Sequence, residues 1–205
     1  MLELNNLYLM DCMHGMHEFP DGYFDLAIVD PPYGLDKSST QGSGKLKNRT
    51  FNTGNISTWD EAPQQDYFDE LFRVSKNQVI WGGNYFNLPP TRCVLCWDKC
   101  QPWENFSQIE LAWTGFDSPA QIFRFDNRTG DKIHPCQKPI ELYIWILDKY
   151  AKSGFRILDT HVGSASSLIA CRRLGFEYIG FEINKGYYES AVNRMKSYAI
   201  PKRLF

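Results

Sequence analysis

The segment FRILDTHVGSASSLIACRRLGFEYIGFEINKGYYESAVNRMKSY, residues 155–198, constrains this chain more than any other. Its apolar spacing reads strand (155–159), glycine-containing turn, helix (166–174), strand (177–182), helix (185–197). Two strands joined through a helix run parallel, since a tight hairpin joins only antiparallel neighbours. The crossover is right-handed. Such a unit commits the chain to an α/β fold, with helices covering a mostly parallel sheet.

A strand–helix–strand unit opens a ligand site beyond the carboxyl end of its first strand. That end carries Asp159, then Gly163 and Ser164 before the helix, and the second strand ends on Glu182. An acid at the position of Glu182 accepts hydrogen bonds from a ribose diol in nucleotide-binding units. The turn lacks the G-x-G-x-x-G pattern and places Asp159 where a pyrophosphate would lie. Two phosphates beside a carboxylate would repel, whereas a cationic cofactor would not. S-adenosylmethionine matches these residues, with a ribose for Glu182 and a positive α-amino group for Asp159. Taken singly, either acid also reads as a strand-end carboxylate, Glu182 facing helix N-terminal amides.

A second segment, DLAIVDPPYGL (25–35), runs an apolar strand into Asp30, Pro31, Pro32 and Tyr33. Proline cannot continue a ladder, so the strand stops at a stiff turn on the sheet's edge. An exocyclic amine of a nucleobase is a poor nucleophile because its lone pair is delocalised into the ring. Hydrogen bonds from that amine to Asp30 and the Pro31 carbonyl would favour pyramidalisation and offset the developing positive charge. Tyr33 would stack on the base and hold it in line with a methyl donor. By itself, the turn also reads as a proline-stiffened bend with a packed tyrosine.

The remaining elements are a short strand in LYLMD (7–11), a helical turn in HGMHEF and a helix over 63–76. A strand in NQVIWGG follows, then three strands in RCVLCWDK, QIELAWTG and QIFRFD whose closeness suits antiparallel pairing or a meander. A helix begins near Pro139 and ends before Gly154. Residues 35–60 are rich in Gly, Ser, Thr and Asn, as expected of a lid, a binding loop or disorder, and hold Lys45, Lys47 and Arg49. Those three cations are candidate phosphate contacts, or simply a solvated loop. The net charge of −2 argues against a general polyanion-coating protein but not against a local basic patch. At 205 residues a single domain over 1–205 is expected. No apolar run approaches the roughly 20 residues that span a bilayer, and the acidic start of MLELNNLYLMDC is unlike a secretory signal; a cytoplasmic protein is expected. Cys93 and Cys96 share a strand at a spacing that puts them on opposite faces, with no second such pair, so no metal site is expected.

DPPY, HPCQKPIEL and ILDTHVGSASS…FEIN together resemble the DNA amino-methyltransferases of adenine N6 and cytosine N4. The order, catalytic turn before cofactor turn, is similar to their β-class circular permutation. The resemblance implies a Rossmann-like methyltransferase fold, a mostly parallel seven-strand sheet with an antiparallel element. It implies S-adenosylmethionine as cofactor, DNA as partner and adenine N6 as target, by base flipping and direct methyl transfer, since Asp rather than Ser precedes Pro-Pro-Tyr. Cytosine N4, adenine in RNA and a non-catalytic cofactor-binding module are the alternatives. By the same resemblance Asp11 and Cys12 lie beside the cofactor adenine, and His134 and Lys138 near its methionyl end; a homodimer is possible, since β-class relatives are often dimers. Two departures stand out: His161 replaces the family's usual Phe, and Ala165 a second glycine, which removes backbone freedom from the cofactor turn.

Overall fold

The computed structural model describes residues 1–35, 61–102, 107–126 and 137–198. They form an eight-stranded sheet flanked by five α-helices: β1 (Asn6–Leu9), α1 (Cys12–His17), β2 (Leu26–Val29), α2 (Gln65–Val74), β3 (Gln78–Trp81), β4 (Val94–Asp98), β5 (Ile109–Thr114), β6 (Gln121–Arg124), α3 (Ile140–Tyr150), β7 (Arg156–Asp159), α4 (Ser166–Leu174), β8 (Glu177–Glu182) and α5 (Lys185–Ser197). A single 3-10 turn, Gly83–Tyr85, follows β3. The strand order is β1-β8-β7-β2-β3-β5-β4-β6.

Alternate residues of each central strand enter opposite cores. Leu26 and Ile28 of β2, Val79 and Trp81 of β3 and Ile157 of β7 face α3, α4 and α5. Ala27, Val29, Ile80 and Leu158 face α1 and α2. Burial on both faces is why these strands read as unbroken apolar runs, as parallel sheets covered by helices do.

Only β5 runs against the others, pairing antiparallel with both β3 and β4. Two expectations are corrected here. The sheet has eight strands rather than seven, and the segments between 92 and 125 are not a simple antiparallel meander. β6 passes around the start of β4 through a six-residue link (115–120) and pairs with it in parallel, Leu95 opposite Gln121. The loop after Thr114 reaches this far because only two strand spacings, about 10 Å, separate β5 from β6.

The chain leaves β7 toward β8 on one side and β2 toward β3 on the other. The crevice between β7 and β2, at their carboxyl ends, is therefore the topological switch point where α/β sheets hold ligands. Asp159 and the Asp30 turn both stand there, in the permuted order expected. No helix among the described residues is long and apolar enough to cross a membrane.

Candidate active site

Neighbouring strand ends bring the two sequence segments into one cleft: β2 and β7 pair in parallel, Ala27 opposite Leu158. Asp30 leaves β2 one residue past Val29. Tyr33 folds back so that its hydroxyl donates to Asp30 Oδ1 at 2.7 Å. The Tyr33 ring stacks on Tyr85 with centroids 5.1 Å apart and meets the edge of Phe86 at 6.1 Å. Gly82 makes this packing possible: its φ is +70°, and a Cβ there would lie 2.2 Å from Tyr33 Cε1. Glycine alone adopts that conformation without strain and leaves the ring its place.

The second Asp30 oxygen is taken by Lys138. Its Nζ lies 2.5 Å from Asp30 Oδ2, 3.0 Å from Glu110 Oε2 and 3.4 Å from the Tyr33 hydroxyl. The side chain is only 2% exposed and its ammonium rests over the Trp81 ring at 5.2 Å. Burial opposes its charge, but Asp30 and Glu110 outweigh that and hold the ammonium well above the ordinary lysine range. Burial likewise opposes the Glu110 carboxylate, yet Lys138 and Lys99, the latter 2.5 Å away, pull it down to about 2.

On the β7 side, Asp159 is 2% exposed. Its Oδ1 accepts the His161 amide at 3.0 Å and its Oδ2 accepts the Ser167 hydroxyl. Burial pushes this carboxyl up to about 7, with the charges of Asp30 and Glu182 adding to the effect against the two hydrogen bonds. His161, which stands where the family usually has Phe, is pushed down to about 4 by burial and is neutral near pH 7. Its Nδ1 lies 2.9 Å from Thr160 Oγ1, which in turn meets the Tyr67 hydroxyl at 2.7 Å. Ala165 takes the left-handed conformation, φ 62° and ψ 23°, despite its Cβ. The lost freedom leaves this residue strained.

Glu182 ends β8 with both oxygens oriented by backbone amides, Gly163 N at 2.9 Å and Asn184 N at 2.8 Å. Burial raises its pKa in spite of these amides. Each oxygen keeps a further lone pair for a hydroxyl donor. β1 pairs with β8 so that Leu9 stands opposite Glu182, and Met10 N donates to the Glu182 carbonyl at 3.1 Å. Asp11 and Cys12 therefore lie beside Glu182. Asp11 also caps α1, accepting the Met13 amide at 2.8 Å. Burial, then the Asp11 charge, pushes the Cys12 thiol up to about 12.

Ser164 and Ser166 tie the two halves together. Their hydroxyls meet at 3.2 Å, Ser166 Oγ donates to the Lys138 carbonyl at 2.8 Å, and Arg194 donates to the Ser164 carbonyl at 2.6 Å. Lys138 thus adjoins the Gly163–Ser166 turn through its backbone, while its ammonium bonds the Asp30 turn. His134, Lys45, Lys47 and Arg49 lie outside the described residues. Sequence reasoning passed over Glu110, Lys99 and Gly82. The signal for Glu110 was a lone acid inside the otherwise apolar strand IELAW.

No lysine or arginine among the described residues pairs with Asp159 or Glu182. A phosphate-bearing cofactor would meet carboxylates without a counter-charge. A ribose-bearing cation suits this donor set. Among the described residues no cluster of His, Cys, Asp and Glu could hold a metal ion.

Comparison with known proteins agrees with this geometry. The N6_N4_Mtase family model, described as a DNA methylase, matches residues 95–193. The type II methyltransferase M2.DpnII of Streptococcus pneumoniae is 27% identical over 153 residues, 74% of this chain and 54% of its own length. Among solved structures, the M1.HpyAVI–SAM complex superposes with a TM-score of 0.61 at 17% identity, over 92% of this chain and 98% of that one. The cytosine-N4-specific PvuII DNA methyltransferase gives a TM-score of 0.65 at 14% identity, over 98% and 88%. The likeness to these structures shows a Rossmann-like α/β fold shared with solved methyltransferases. Within that fold, residues 95–193 are similar to the DNA methylases of the N6_N4_Mtase family, and the chain is similar over 74% of its length to a type II methyltransferase.

Proposed function

We propose that this protein transfers a methyl group from S-adenosylmethionine to the exocyclic N6 amine of adenine in DNA. The observation that carries the reading is the convergence of the Asp30–Tyr33 turn and the Asp159–Glu182 pair at one switch-point crevice. Glu182 would accept the ribose hydroxyls, the negative end of β7 at Asp159 would favour the α-amino group, and Asp11 and Cys12 would flank the adenine. The Gly163–Ser164 turn would supply close backbone approach. The cofactor contributes an electrophilic methyl group on sulfur.

Asp30 and the Pro31 carbonyl then accept N–H bonds from the target amine, freeing its lone pair from the ring. Both Asp30 oxygens already hold one donor each, and a carboxylate has room for another at either. Pro31 and Pro32 fix the direction of the carbonyl. Tyr33 stacks on the base. Bound S-adenosylmethionine would supply the methyl group and keep the S–C electron pair, and the target amine would give up one proton along its hydrogen bond to Asp30 and on to solvent. A base inside a duplex cannot reach this turn, so it is flipped out, at an unstacking cost of a few kcal/mol. Residues 35–60, with Lys45, Lys47 and Arg49, are the proposed phosphate-contacting loop, on sequence grounds. Aspartate before Pro-Pro-Tyr favours adenine over cytosine.

The test is a pair of variants. Asp30→Ala and Tyr33→Ala should abolish methyl transfer to DNA while binding of the cofactor, measured by calorimetry, persists. Full activity in both would remove the mechanism. Competition between DNA and RNA oligonucleotides in the same assay identifies the nucleic acid.

A further inference from the structure

A row of alternating charges crosses the site behind the Asp30 turn. Lys99 follows β4 and lies 2.5 Å from Glu110 Oε1 on β5; Glu110 Oε2 lies 3.0 Å from Lys138; Lys138 lies 2.5 Å from Asp30 Oδ2. Two cations and two anions balance. The row ends on the Tyr33 hydroxyl, bonded to Asp30 Oδ1.

We infer that Glu110 is a positioning residue for methyl transfer, holding the Lys138 ammonium so that it fixes the carboxylate of Asp30. The inference rests on the function proposed above, and deepens it. A lysine ammonium is a point charge with three donors on a flexible four-carbon stem, and by itself it selects no orientation. Here Asp30, Glu110 and, at longer range, Tyr33 receive those donors. Glu110 is the one of the three that stands on the reversed strand, outside the Asp30–Tyr33 turn, and it is held from behind by Lys99. It pins Lys138 from the far side. With Lys138 pinned, Asp30 is gripped at one oxygen by Lys138 and at the other by the Tyr33 hydroxyl, and the acceptor for the target amine keeps a single orientation. Glu110 itself bonds neither Asp30 nor Tyr33 and acts only through Lys138.

A double-mutant cycle tests this on the full chain. Glu110→Gln should lower kcat by about tenfold or more, the size of effect that slight misplacement of a reacting group produces. KM for DNA and Kd for S-adenosylmethionine should change less than twofold. Glu110→Asp should recover part of the loss. Glu110→Gln/Lys138→Met should be no slower than Lys138→Met alone, because Glu110 works through that residue. Multiplying losses in the double variant, or an unchanged kcat in a folded Glu110→Gln protein, would overturn the role. Lys99→Met, which leaves Glu110 in place, should give a smaller kcat loss of the same kind, and serves if Glu110 variants fail to fold; an unchanged kcat there also counts against the role. Wild-type protein that binds cofactor yet methylates no DNA would sink the proposed function itself, whereas an active wild type beside an unaffected Glu110→Gln sinks this inference alone.

Discussion

Gly82→Ala puts the geometry of the Asp30–Tyr33 turn to a direct test. The substitution acts twice. At φ +70° an L-residue costs about 1–2 kcal/mol. The new Cβ would also stand 2.2 Å from Tyr33 Cε1 and 2.7 Å from Cζ. Ordinary carbon contacts begin near 3.5 Å, so the ring must withdraw by about 1.3 Å. That movement carries the Tyr33 hydroxyl away from Asp30 Oδ1, now 2.7 Å distant. A displacement of about 1 Å at a reacting group is worth roughly 100-fold in rate. Steady-state methyl transfer should therefore fall about 100-fold in kcat. Cofactor affinity, by calorimetry, should stay within about twofold, as Glu182 and Asp159 are untouched. Gly175→Ala is the control: its φ is +78° but nothing lies within 4 Å of the added Cβ. Net of the freedom that alanine removes from the unfolded chain, its backbone strain should lower Tm by about 1–4 °C for a chain of this size, with kcat intact. Equal activity in Gly82→Ala and wild type would refute the packing argument. So would a loss of cofactor binding that matches the loss of rate.

Further outcomes follow from the cofactor side. With Asp159 pushed up to about 7 in the free protein, a cationic ligand must bind its ionised form, so affinity for S-adenosylmethionine should rise about tenfold per pH unit below 7 and level off above. Binding at pH 7 should release about half a proton, read by calorimetry in buffers of different ionisation enthalpy, and Asp159→Asn should abolish that release. Proton uptake instead of release would reverse the sign and exclude the assignment. Ala165→Gly removes a Cβ from a residue at φ 62°, which should gain about 0.5–1 kcal/mol after the added freedom of the unfolded chain is subtracted, or roughly 1–4 °C in Tm by calorimetry. A lower Tm would mean that the methyl group packs better than the backbone suffers.

Much of this architecture is legible in the order of residues. The unit from β7 to α5 could be read nearly to the residue because each strand is a short apolar run, α4 stops at Gly175 and α5 starts from Asn184. The site acids were legible for the same reason: Asp30, Asp159 and Glu182 each stand at or just past the last residue of a buried strand, where the backbone alone sets their location. The direction of β6 was not, since a six-residue link permits either a hairpin with β5 or a pass around β4, and only the packed sheet decides. Nor was the partner of Lys138. Its ion pairs join residues 28 and 108 positions away, on β5 and just past β2, two strands that β3 separates and whose ends meet because β5 is reversed. In the sequence Gly82 is one of the two glycines that end NQVIWGG; its use under the Tyr33 ring is a tertiary fact. Asp11 carried a readable second role, an acid directly ahead of a helical turn, which caps α1 as well as standing beside Glu182.

The most direct measurement is nucleoside mass spectrometry of plasmid DNA incubated with purified protein and S-adenosylmethionine. N6-methyladenine should appear with the wild-type chain and vanish with Tyr33→Ala. N4-methylcytosine alone would keep the cleft and change the base. Unmodified DNA, or a methyl group found only on ring carbon, would contradict a site built to activate an exocyclic amine.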